Sequence, residues 1–135
     1  MKAGFGSLAA AAAAAVALFG ASAQVLAHHS FSAEFDIGRP VEITGKVTEI
    51  EWTNPHAWIH MEVTDADGQS AVWAVEMLGI NALVRSGINP RTVQAGDMLT
   101  VTGYGARNGT TTANASSVKR TETGEMLWSN TGDAD

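Results

Sequence analysis

From Val41 onward apolar residues recur at every second position, and this period-two pattern restricts the chain to a fold of half-buried strands. Val41, Ile43, Gly45 and Val47 share one face, after which the apolar side resumes out of phase at Ile50 and Trp52. A one-residue slip turns a strand inside out unless a bulge absorbs it, so the spacing predicts one long, bulged strand. Thr53-Asn54-Pro55 then breaks the ladder, because proline has no N–H to give and asparagine favours turns. Beyond it Ile59, Met61 and Val63 alternate with Trp58, His60 and Glu62, which predicts a second strand buried on one face.

Asp65-Ala66-Asp67-Gly68 is a hairpin turn signal, and the strand that follows puts Trp73, Val75 and Met77 on one side. As a calcium loop the segment would have Asp65, Asp67 and Glu76 at positions 1, 3 and 12, but Ser70 stands where such a loop needs glycine. Ile80, Leu83 and Val84 have helical spacing within Gly79 to Ser86, with Gly87 as the stop and Pro90 beyond. Leu99, Val101 and Gly103 predict a fourth strand, Thr111 to Lys119 a fifth, and Gly124 to Trp128 a short sixth. Three strands, a short helix, then two or three strands is the order of an OB-like Greek-key barrel, all-β with one short helix; a small β-sandwich or another barrel is the alternative.

Ser7 to Ala23 is a run of Ala, Leu, Val, Phe and Gly with Lys2 before it, the form of a secretory signal peptide. The run is nearer a signal core than the roughly 20 strongly apolar residues of a membrane span. Two cleavage sites fit: Ala21-Ser22-Ala23 before Gln24, and Val25-Leu26-Ala27 before His28. The second makes 1–27 the signal peptide, 28–40 a leader, 41–129 the barrel and 130–135 a flexible tail. Export implies a periplasmic or secreted protein with no transmembrane anchor after cleavage. The chain of 135 residues has no cysteine, which excludes disulfides, thiolate metal sites and thiol catalysis. A formal net charge of −6 with few, scattered basic residues speaks against nucleic acid as a partner.

The four histidines fall in two clusters, His28-His29 and His56 with His60. Cleavage before His28 would give that residue a free α-amine, so that amine and imidazole together chelate one ion. A third imidazole would complete a nitrogen set suited to Cu(II). His56, in the loop between the first two strands, is the natural third ligand. His29 is a further candidate, whereas His60 lies about 13 Å along a straight strand from His56 and would share the ion only if the strand bent. The competing reading makes His28 and His29 an unstructured start and His56 a turn residue bonded to a carbonyl. The domain is then a metal-free binding module in which Asn54 and Trp58 engage a small molecule, a glycan or a protein partner. Trp58 lies on the polar phase of its strand, while Trp73 lies on the apolar one. No Gly-x-Ser-x-Gly elbow and no glycine-rich phosphate loop occur, and the Glu49 and Glu51 pair reads as a solvated strand face. Nothing therefore points to an enzyme, and a copper oxidant would need a substrate groove that the sequence does not display.

HHSFSAEFD (His28 to Asp36), VEITGKVTEIEWTNPHAWIHMEV (Val41 to Val63), WAVEM (Trp73 to Met77) and AGDMLTVTGY (Ala95 to Tyr104) resemble a family of small exported bacterial proteins known as a domain of unknown function. Its marks here are the paired His28-His29 and the Asn54-Pro55-His56 triplet. In that family the histidine pair follows the signal peptide, so the resemblance implies cleavage before His28. The strand and helix order is more loosely similar to periplasmic OB-fold proteins that bind small ligands or partners. Copper is an expectation from the residue chemistry, not from the resemblance.

Overall fold

A computed structural model of the chain describes residues 31–130. Residues 31–34 are helical and belong to a unit distinct from the one that starts at Phe35. That second unit comprises β1 (Phe35–Glu51), β2 (Trp58–Thr64), β3 (Ser70–Glu76), α1 (Ile80–Ser86), β4 (Met98–Ala106), β5 (Thr112–Arg120) and β6 (Met126–Ser129). The strands form one sheet in the order β3-β2-β1-β4-β5-β6, and a parallel β3–β5 pairing closes it into a ring. An all-β barrel with one short helix results, with the OB connectivity predicted from the element order. A sandwich of two separate sheets does not describe it.

β1 holds the ring together because it pairs with two partners in succession. Its residues from Phe35 to Lys46 run against β4, and those from Lys46 to Glu51 run against β2. The predicted bulge is present, with the β1–β2 register shifting between Val47 and Glu49. Following paired residues from Pro40 through Tyr104, Asn114, Glu76 and Trp58 leads back to β1 at Glu51, a displacement of 51 − 40 = 11 residues in one circuit. Strands of this barrel are therefore steeply tilted to its axis.

The start of β1 corrects the expected boundary. Residues 35–40, read as leader, are strand, with Phe35 opposite Ala106 and Pro40 opposite Tyr104. This stretch pairs along one side only, where a proline without an N–H does no harm. A register shift between Phe35 and Pro40 absorbs the irregularity. At the other end Asn130, assigned to the tail, donates its N–H to the Ser116 carbonyl (2.8 Å); residues 131–135 lie outside the described residues.

The alternation fills the barrel as expected. Val47, Ile59, Met61, Val75, Leu99, Val101 and Val118 are buried, and Leu83 from α1 joins the same cluster with Ile88 and Val93. Each of these side chains contributes roughly 1.5–3 kcal/mol by leaving water. The β2–β3 turn is built by Asp65, whose carboxylate accepts the N–H groups of Asp67 and Gln69 (both 2.9 Å), with Gly68 at φ 79°. α1 stops where predicted: Gly87 takes φ 99°, and the Ile88 N–H returns to the Leu83 carbonyl (3.0 Å). None of the helices among the described residues is long and apolar enough to cross a membrane.

Candidate ligand site around the first interstrand loop

The loop between β1 and β2 is fastened to the β3–α1 connection by backbone and side chain together. Ala57 donates its N–H to the Leu78 carbonyl (3.0 Å) and accepts from the Met77 N–H (2.9 Å). The Asn54 carboxamide oxygen accepts the Ile80 N–H (3.1 Å), one of the donors that the first turn of a helix cannot use internally. Gly79 permits this approach, since a Cβ there would lie 2.7 Å from the Pro55 carbonyl oxygen. The Asn54–Pro55 bond is cis, and the Thr53 hydroxyl donates to the His56 carbonyl (2.8 Å). Asn54, expected as a ligand contact, thus has its oxygen committed to the helix start.

His56 follows this anchored stretch. Its Nδ1 lies 2.9 Å from Oε1 of Glu76, and the two side chains differ sharply in environment: the imidazole is 49% exposed, the carboxylate 8%. A carboxylate so withdrawn from water needs hydrogen-bond partners, and the imidazole N–H supplies one. With Nδ1 carrying the proton toward Glu76, the Nε2 lone pair is left for another ligand. An imidazole oriented by a carboxylate through its second nitrogen is the arrangement that metal-binding histidines commonly adopt.

His60 is held separately. Its Nε2 lies 2.7 Å from Oε1 of Glu51, at 24% and 46% side-chain exposure. His56 and His60 therefore point to different carboxylates and are not brought to a common centre, as strand geometry anticipates. No group of three or more His, Cys, Asp or Glu residues among the described residues is arranged to hold a metal ion. His28 and His29 lie outside the described residues.

Trp58 is half-buried and stands in register between Glu51 of β1 and Glu76 of β3. Trp73 packs against the core, as its apolar phase predicts. The carboxylates that orient the two histidines, Glu76 and Glu51, are the functional candidates that sequence reasoning passed over. A signal for Glu76 was available. Once the turn is centred on Asp65 to Gly68, Thr64 faces Ser70, and counting back along both strands brings Trp58 opposite Glu76. The hydrogen bond from His56 to Glu76 could then have been expected two residues from that pairing.

No curated protein matches the chain. Residues 11–115 match DUF6152, a family of unknown function, and the chain belongs to that family.

Proposed function

We propose that this protein is an exported small binding protein that holds one Cu(II) ion through His56 and the amine and imidazole of His28, with His29 as a further nitrogen donor. The observation that carries the reading is the His56–Glu76 pair, in which a nearly buried carboxylate meets Nδ1 of a half-exposed imidazole.

Native mass spectrometry of the protein purified from the periplasm, before and after one equivalent of Cu(II), tests the reading. The expected result is a chain that begins at His28 and retains one copper against a competing chelator, with His56→Ala weakening retention at least about tenfold. A chain that begins at Gln24, or one that never keeps copper, overturns it. The metal-free module would then stand, its ligand meeting Trp58 on the outer face of β2 and β3, the surface by which OB-folds bind their partners.

A further inference from the structure

On the outside of β5, β4 and β1, distinct from the His56 loop, lies an open groove of about 420 Å³ whose lining includes Pro40, Glu42, Thr102, Gly103, Tyr104 and Ser116. Its volume falls within the roughly 300–1,000 Å³ of small-molecule sites. Two local irregularities shape it. The β4–β5 register shifts between Thr102 and Gly103, so that Ser116 is an extra residue in β5. At Gly103 the neighbouring strand comes so close that a Cβ would lie 2.0 Å from the Asn114 carbonyl oxygen, which keeps this part of the lining free of side-chain bulk.

The chemistry of the lining is specific. Tyr104 and Pro40 face each other in register and present an aromatic and a pyrrolidine surface side by side. Two register steps along, Glu42 and Thr102 are separated from them only by the Val41–Gly103 pair, and they bring a carboxylate and a hydroxyl to the same groove. Ser116 adds a second hydroxyl, and no lysine or arginine is among the lining residues. Such a surface repels anions, all the more in a chain of net charge −6. An aromatic ring beside acceptors and hydroxyls suits a flat, uncharged, multiply hydroxylated ring: the C–H face packs on the aromatic, and the hydroxyls donate to the carboxylate.

We propose that the groove between Tyr104 and Glu42 is a subsite for a neutral saccharide ring. The groove is a different site from the one proposed for copper. His56 is not among the groove residues.

The test is a titration of the purified protein, kept metal-free with EDTA, with chitotetraose and separately with cellotetraose, followed by amide NMR shifts. Saturable shifts at Thr102, Tyr104 and Ser116 with at least one saccharide are expected. Tyr104→Ala should weaken binding at least about tenfold, while Tyr104→Phe, which keeps the ring, should stay within about twofold. Glu42→Gln, at an exposed position, should also weaken binding and supplies the same test without touching the packing of Tyr104. Absence of saturable shifts at millimolar saccharide overturns the proposal. So do shifts centred on Trp58, or affinity unchanged in Tyr104→Ala and Glu42→Gln when both give native spectra. The saccharide titration is run without metal and copper retention is read separately by chelator competition on the parent protein, so failure here and failure of the copper reading are separately visible.

Discussion

Replacing Gly45 by alanine would set a Cβ 2.4 Å from the Glu62 carbonyl oxygen and 2.9 Å from Cγ2 of Val63. The nearer obstacle is backbone, so no side-chain rotation relieves it. To restore an ordinary contact of about 3.4 Å, β1 and β2 must part by about 1 Å beside the Lys46–Glu62 pair, where β1 passes from one partner strand to the other. Overpacking of this kind costs about 1–3 kcal/mol, and a ladder hydrogen bond stretched out of range adds about 1 kcal/mol. The sum, about 2–4 kcal/mol, corresponds to a fall in Tm of about 8–30 °C for a domain of this size. Gly68 provides the control. It sits in the hairpin turn at φ 79° with nothing within 4 Å of where a Cβ would stand, so alanine there costs only the left-handed backbone, about 1–2 kcal/mol. Urea unfolding followed by tryptophan fluorescence measures both. A Gly45→Ala cost no larger than that of Gly68→Ala would refute the claim that strand approach, rather than backbone conformation, demands glycine at position 45.

Two further outcomes follow from the anchored loop. Glu76→Ala should lower copper affinity about 10- to 100-fold in chelator competition, because His56 loses the group that orients it; affinity within about twofold of the parent would remove Glu76 from the site. Asn54→Ala deprives the Ile80 N–H of its acceptor and should cost about 1 kcal/mol in urea unfolding, whereas an unchanged midpoint would show that water replaces the bond without loss.

The barrel was legible wherever a local rule acts. The slip from Val47 to Ile50 announced the bulge, Asp65 and Gly68 announced the hairpin, and Gly87 announced the end of α1, because each is decided by neighbours within a few residues. What escaped depends on partners distant in sequence. Residues 35–40 read as leader, and only the placement of β4 reveals that they continue the strand with one side unpaired. Asn54 read as a ligand contact since its acceptor role serves Ile80, 80 − 54 = 26 residues away. The site was half visible: clustered histidines and the loop that carries His56 were evident, but Glu76 became a partner only through hairpin register. Glu51 was noticed as a charge beside Glu49, while its bond to His60 requires the β1–β2 alignment set by the bulge.

The two successive partners of β1 also bear on how the chain acquires its structure. The β2–β3 hairpin joins residues close in sequence and can form early, but Lys46 meets Met98 and Phe35 meets Ala106, separations of 98 − 46 = 52 and 106 − 35 = 71 residues. Closing such long loops costs entropy before any contact offsets it, so ring closure sets a folding time in the millisecond-to-second range typical of non-local β topologies. Until β4 has been synthesised, the first strand has no neighbour along Phe35 to Gly45. A nascent chain consequently remains an open, hairpin-containing coil until nearly its whole length is available, and acquires its barrel in one late, cooperative step.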